Sequence, residues 1–411
     1  MRPLADAQRE VLAAMQPLPT ERVSIDEAAG LALADDVVAP HPVPPFDNSA
    51  MDGYAVRSAD TAGAPVTLRV LEDVPAGSVP TMPVGAGEAI TIMTGAPMPD
   101  GADAVVIVEE TEPWGDDGVV VRTEVEPGAN VRRAGGDLVA GAPVFPAGER
   151  LGPRHLGVLA SIGVSAPAVR RRPIVGILST GDEVQPPDTA VLRPGTIRDA
   201  NRPMLGGLLA EVGVGVVDFG IVPDDETALR TALETAAAQC DAVVTSGGVS
   251  MGEYDLVKQV LGDLGDVGFW RVAMQPAKPF AFGFLGETPL FGLPGNPVSV
   301  MVAFEQFVRP ALLRRMGSTR LFRPRVPGVL AEDVGTNPEK VVFLRMRTRV
   351  EGPSWVAERS GGQLSNMLTA LARADAFGVV PVGVGDLAAG DAIDLELFRH
   401  PEARTFEEVL G

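Results

Sequence analysis

A chain of 411 residues, 45% of them hydrophobic, holds enough apolar mass for two to four folded domains and lies far from disorder. A formal net charge of −20 argues against general nucleic-acid binding, which needs a basic face. No apolar run reaches the roughly 18 residues of a membrane helix, and Met1-Arg2-Pro3-Leu4-Ala5-Asp6 lacks an apolar signal core, so neither membrane insertion nor export is expected and the expected location is cytoplasmic.

The first element is a helix from Leu4 to Met15, with Leu4, Ala7, Val11 and Met15 at helical spacing, closed by Pro17 and Pro19. Ser24-Ile25-Asp26-Glu27 reads as a capping box that opens a second helix through Ala34. From Val37 to about Arg150 short runs such as Val66–Val70, Ala89–Ile92 and Ala104–Val108 are punctuated by Pro and Gly and read as mostly β. A short helix is expected over His155 to Ile162.

From Pro173 onward strands and helices alternate. Strand Ile174–Leu178 is followed by a helix over Met204–Val212, strand Val214–Ile221, a helix over Glu226–Gln239 and strand Asp241–Val244. A helix over Leu256–Leu264 precedes short strands near Phe269–Val272, Pro279–Gly283 and Leu290–Phe291, and a long helix spans Val298–Arg315. This alternation predicts a doubly wound parallel sheet covered on both faces, with ligands at the carboxyl ends of its strands. After Arg320 the chain turns β again, with strands at Val341–Arg347, Trp355–Ala357 and Phe377–Val380. Cys240, the one cysteine, has no partner for an internal disulfide. His41, His155 and His400 are too scattered for a His/Cys metal site.

Four polar loops end strands of the predicted sheet: Ser179-Thr180-Gly181-Asp182-Glu183, Pro223-Asp224-Asp225, Thr245-Ser246-Gly247-Gly248-Val249-Ser250-Met251-Gly252-Glu253-Tyr254-Asp255, and Gly292-Leu293-Pro294-Gly295-Asn296-Pro297-Val298-Ser299. Glycine lets backbone N–H groups close on a phosphate, and a carboxylate beside bound phosphate commonly holds magnesium. Asn296 suits an N-cap and Pro297 a first helical turn, leaving free N–H groups at that helix end. If all four loops share one rim, Glu183, Asp224 and Asp255 meet phosphate donors there. Each loop alone also suits a plain turn or cap. The β region adds Pro45–Ala55 with Asp47 and Asp52, Met93–Pro97 with Thr94, and Asn130–Asp137 with Arg132 and Arg133. Arg271 and Lys278, near a further strand end in Trp270–Pro279, suit anion binding in so acidic a chain.

Together Phe46–Ala55, Met93–Pro97, Ser179–Glu183, Thr245–Asp255 and Gly292–Ser299 resemble the MoeA family, the molybdopterin molybdenumtransferases, to which the C-terminal domain of gephyrin is related. The resemblance implies a multidomain α/β plus β fold: an α/β molybdopterin-binding domain (1–21 and 171–317), a connecting domain (22–44 and 138–170), an inserted mostly-β domain (45–137) and a C-terminal β domain (318–411). It implies insertion of molybdenum from molybdate into adenylylated molybdopterin with release of AMP, supported by Mg²⁺. It further implies a homodimer whose active site lies between the α/β domain of one subunit and the β region of its partner. Contacts with molybdopterin adenylyltransferase and with molybdoenzymes are also implied.

Carried over, the functional positions fall on Asp52, Thr94, Arg132, Asp137, Glu183, Asp224, Asp255, Lys278 and Ser365. Asp52, Asp137, Asp255 and Glu183 are the expected catalytic carboxylates, with Asp224, Asp255 and Glu183 on the metal side. Ser179, Gly181, Ser246, Gly247, Gly248, Ser250, Arg271, Pro294 and Asn296 join Thr94, Arg132, Lys278 and Ser365 as expected substrate contacts. The chain departs from the family pattern in a neighbouring segment. Two family lysines appear as Arg271 and Gln275, and alanine, Ala277, stands in a glycine position. Rival readings are a molybdopterin adenylyltransferase, a tungstate-preferring paralogue and a non-catalytic scaffold.

Overall fold

The computed structural model describes residues 1–248 and 256–398. Helix α1 (Leu4–Ala14) buries Leu4, Ala7 and Val11, the stripe its spacing predicts. The expected helix over 24–34 is not present. Ile25–Glu27 forms a single 3₁₀ turn, and Ser24 Oγ donates to the Glu27 carboxylate at 3.1 Å rather than capping a helix. The chain then reverses through Gly30 (φ 80°), and Leu33 and Ala34 donate to Glu149 and Ala168 carbonyls. Strand-like pairing with distant chain wins over the local cap.

The inserted β region is built on a six-stranded sheet. Its strands are β1 (Gly53–Val56), β2 (Val66–Val74), β3 (Glu88–Ile92), β4 (Ala104–Ile107), β5 (Thr111–Trp114) and β6 (Gly118–Val121), in the order β4-β1-β3-β2-β6-β5. Both faces are covered: Ile90 and Ile92 pack on one side and Ala89 on the other, the period-2 alternation of a strand. Helix α2 (Pro153–Ser161) follows.

The α/β unit runs β7 (Ile174–Thr180), α3 (Asn201–Val212), β8 (Gly215–Val222), α4 (Glu226–Gln239), β9 (Ala242–Ser246), α5 (Leu256–Leu264), β10 (Asp266–Arg271), β11 (Met274–Gln275), β12 (Pro279–Leu285) and β13 (Thr288–Leu293). Its sheet order is β8-β7-β9-β13-β12-β10. Strands β8, β7, β9 and β13 are mutually parallel, whereas β12 is antiparallel to both neighbours, so the sheet is mixed rather than wholly parallel. The cause is local: only Gly286 and Glu287 separate β12 from β13, and so short a connection permits only an antiparallel pair. Ile177 and Val244 enter the larger core and Leu178 and Val243 the smaller one across the sheet.

The long helix begins as α6 (Pro297–Ala303), passes through a π-helical turn (Phe304–Val308) and continues as α7 (Arg309–Arg315). The C-terminal region is β14 (Arg325–Leu330), β15 (Val341–Glu351), β16 (Ser354–Arg359), α8 (Leu368–Ala372), β17 (Ala376–Val380) and β18 (Ala392–Leu397). Strand order β15-β16-β14-β18-β17 closes on itself through a β15–β17 pairing, giving a small barrel. Strand β11, which lies between β10 and β12 in the chain, pairs not with the mixed sheet but parallel to β15, so the α/β unit lends the barrel an edge segment. Among the described residues no helix is long and apolar enough to cross a membrane.

Candidate active site

The carboxyl ends of the four parallel strands all point the same way, so the polar loops that follow them, the third described only as far as Gly248, start from one rim. Gly247, at φ 95°, follows β9; a Cβ there would sit 2.8 Å from the Thr180 carbonyl, so only glycine lets these two loops touch. Asn201, the first residue of α3, ties two loops together: its Nδ2 donates to Ser246 Oγ at 2.8 Å and to the Gly295 carbonyl at 2.6 Å. Asp199 Oδ1 accepts from the Asn201 and Arg202 backbone N–H groups, each at 3.1 Å, and holds that helix start.

These loops wall a cavity of about 340 Å³ lined by Ser179, Glu183, Asn201, Ser246, Gly247 and Asn296, among others. Ser179 Oγ and Asn201 Oδ1 are buried there without a hydrogen-bond partner. A buried polar atom left unsatisfied costs roughly 1–3 kcal/mol, so a polar ligand in this cavity recovers that cost. Gly181 lets the Glu183 carboxylate fold against the loop, since a side chain at 181 would run into it. Asp182 and Asp224 exchange bonds with each other's backbone N–H, at 3.4 and 3.2 Å. Asp225, by contrast, caps α4 through the Ala228 N–H at 2.8 Å. Among the described residues, Asp182, Glu183 and Asp224 carry no ion pair, and no group of three or more metal-ligating side chains occurs. Such a donor set suits an ion that keeps water and completes its shell with substrate phosphates, as magnesium does, rather than a dedicated protein cage. Ser250 and Asp255 lie outside the described residues.

A second cavity, about 400 Å³, opens between the mixed sheet and the barrel and shares Asn296 with the first. Its wall includes Gln275, Ala277, Lys278, Lys340, Arg345, Gln363 and Ser365, and no carboxylate. Asn296 stands at the N-cap of α6 without a capping bond from its side chain, and the Ser365 carbonyl takes the Val298 N–H at 3.1 Å. Arg345, 1% exposed, donates to the Gly362 and Leu364 carbonyls at 3.0 and 3.4 Å, while its Nε has no partner. Burial pushes its guanidinium down to about 10, so it is charged at neutral pH. Among the described residues none of Lys278, Lys340 and Arg345 is ion-paired. Ala277 lies at φ 69°, a left-handed conformation that costs an L-residue roughly 1–2 kcal/mol. Arg271, expected as a substrate contact, is exposed at the end of β10 and is not part of either cavity wall. Pro294 is buried behind the rim at the end of β13.

The inserted β sheet carries a third polar cluster. Asn48-Ser49 pairs with Val131-Arg132, and Ser49 exchanges backbone bonds with Ala96 and Gly95, so the three polar loops of this region converge. The Asp52 carboxylate accepts from Thr94 N–H and Oγ–H, both at 2.7 Å, and these bonds lower its pKa. Asp47 is held below the usual carboxylate range by the Ala134 N–H and by Arg133. Arg132 reaches the Ala50 carbonyl at 3.4 Å, and Asp137 is exposed. Phe46, Met51 and Met93 stand exposed around this cluster. Among the described residues no hydrogen bond or ion pair joins it to the rim loops of the same chain.

Sequence reading missed Asp199, Asn201, Lys340, Arg345 and Gln363. The pattern Asp199-Ala200-Asn201 before a helix was visible, as was an arginine inside the apolar run Val341–Met346.

Sequence profiles for the MoeA N-terminal region (domain I and II), a probable molybdopterin binding domain and the MoeA C-terminal region (domain IV) match residues 2–163, 176–314 and 327–398. Molybdopterin molybdenumtransferase 2 of Mycobacterium tuberculosis is 39% identical over 405 residues, 96% of this chain and 99% of that protein. Molybdopterin molybdenumtransferase of Haemophilus influenzae is 37% identical over 93% of this chain and 95% of its own length. The crystal structure of a molybdopterin biosynthesis MoeA protein from Pyrococcus horikoshii superposes with a TM-score of 0.82 at 30% identity, covering 97% of this chain and 100% of that one.

Proposed function

The chain belongs to the MoeA family of molybdopterin molybdenumtransferases, and from that premise we propose that it inserts molybdenum from molybdate into adenylylated molybdopterin, with Mg²⁺-dependent release of AMP. The observation that carries the reading is the contrast of two joined cavities. One offers carboxylates and unsatisfied hydroxyl and amide oxygens; the other offers three unpaired cations and no acid. The first suits a pyrophosphate bridge with its metal, the second a tetrahedral dianion.

Glu183 and Asp224 would hold the magnesium, and the ion when bound would neutralise charge growing on the leaving phosphate. Ser179, Ser246 and Asn296 orient the phosphates, with Asn201 fixing the spacing of the loops that carry the last two. Lys278, Arg345 and Ser365 hold the oxyanion where the dithiolene sulfurs reach it. Asp52, kept ionised by Thr94, is supplied by the partner subunit of a homodimer and orients water or molybdate. The exposed apolar residues around Asp52 support that cross-subunit placement. The protein works in the cytoplasm.

The test is direct. Purified protein with adenylylated molybdopterin, molybdate and magnesium releases AMP, and omission of either ion slows that release at least tenfold. Pyrophosphate formed from ATP and molybdopterin, with no AMP from the adenylylated substrate, would instead identify an adenylyltransferase.

A further inference from the structure

This chain uses arginine for almost every cation. Lysine occurs only at 258, 278 and 340 among 34 basic residues. Lys258 stands over the Phe269 ring, 5.6 Å from its centroid. The other two line one cavity, the acid-free one between sheet and barrel. A chain that replaces lysine nearly everywhere else keeps it twice on a single wall, which points to chemistry that arginine serves less well.

The walls of that cavity show why. Arg345 is fixed: it is buried, and its Nη2 is committed to two carbonyls. A planar fork held this way cannot follow the four oxygens of a tetrahedral anion, whereas an ammonium on a flexible stem can turn three donors toward it. Lys278 reaches in from the start of β12 on the sheet side. Lys340 reaches in from the barrel side, immediately before β15. Its place is set by register: Met274 and Gln275 pair with Val341 and Val342, and the Val341 N–H donates to the Ala273 carbonyl at 3.0 Å. The sheet side therefore meets the barrel through Gln275, a neutral amide on the same wall, next to the point where Lys340 enters.

We propose that Lys340 is an oxyanion-binding residue, the barrel's contribution to holding the tetrahedral dianion, standing in for the charge that position 275 does not carry. This rests on the reaction proposed above and assigns a further residue to it. One dianion against three monocations cuts the net charge of the cavity from +3 to +1, whereas without it three like charges face one another with no carboxylate on the wall. Lys340 therefore acts on anion affinity and leaves the phosphate-binding rim unaffected.

The experiment is calorimetric titration of the folded apoprotein with molybdate, and separately with adenylylated molybdopterin. Lys340→Gln weakens molybdate about tenfold and leaves the pterin substrate within twofold of wild type. Gln275→Lys introduced into Lys340→Gln restores molybdate to within about threefold, and Gln275→Lys alone tightens it. Thermal melts confirm that each variant is folded; should Lys340→Gln not fold, the single Gln275→Lys variant decides. Wild-type molybdate affinity in Lys340→Gln, with a loss in Lys278→Gln, removes Lys340 from the site and leaves the cavity's function standing. Wild-type affinity in both variants overturns the cavity reading itself.

Discussion

Two regions join the α/β unit to the barrel, and each buries charge, Glu305 and Glu396 in one and Arg345 in the other. Along the π-helical turn of the long helix every charge is answered. Glu305 takes a two-pronged contact from Arg323 at 2.9 and 3.0 Å, Glu396 takes Arg325 and the Gln306 amide, and Gln8 reaches both the carbonyl and the side-chain oxygen of Gln306. In the anion cavity Arg345 meets only carbonyls, and the two lysines beside it meet no acid. Ion pairing with Glu305 raises the pKa of Arg323; burial without a counter-charge lowers that of Arg345 to about 10. The first region is finished by folding. The second is left for a ligand to finish, and a buried cation kept without an anion is the physical mark of a binding site.

That contrast can be broken at four points. Arg323→Met removes the two short bonds to buried Glu305, leaving it only Arg309 at 3.8 Å, and costs about 3 kcal/mol, measured by chemical denaturation. A small change there would mean the two regions do not differ as described. Activity from mixed subunits tests the proposed cross-subunit site next. Asp52→Asn and Lys278→Gln homodimers, each inactive alone, regain about a quarter of wild-type AMP release after subunit exchange, since one in four sites is then intact. No recovery would place both residues in one chain's own site.

Arg345→Met separates stability from binding. For a cation whose pKa is lower folded than unfolded, the penalty is present below about pH 10 and is relieved as pH rises through it. Here that penalty is roughly 3 kcal/mol at neutral pH, offset in part by the two carbonyl bonds. The variant is expected to melt no lower than wild type while losing at least tenfold in molybdate affinity; a clear drop in melting temperature contradicts the assignment. The smallest effect belongs to Ala277→Gly, which frees a left-handed residue and raises stability by about 0.5–1 kcal/mol in the same denaturation assay.

Much of this was legible beforehand because local signals and tertiary structure agreed. Helices α4 and α5 lie where apolar spacing put them, and all four loops of the rim follow strands read from their apolar runs. The misreadings have two causes, pairing with distant chain and a tight turn. Ser24–Glu27 looks like a capping box until Leu33 and Ala34 pair with 149–168. Strand β12 looks like part of a parallel series until its two-residue turn is seen. Arg345 escaped notice because a charged residue in a strand is ordinarily read as facing water. Closing the sheet into a barrel buried it instead, and Lys340 entered the same cavity through the β11–β15 register, which a linear pattern does not display.

The scarcity of primary amines supplies a built-in reporter. An acylating reagent meets three side-chain targets, and two of them share a wall of the cavity proposed for the oxyanion. Modification of Lys278 and Lys340, read by mass spectrometry against Lys258 as an internal control, follows occupancy of that cavity without any engineered label.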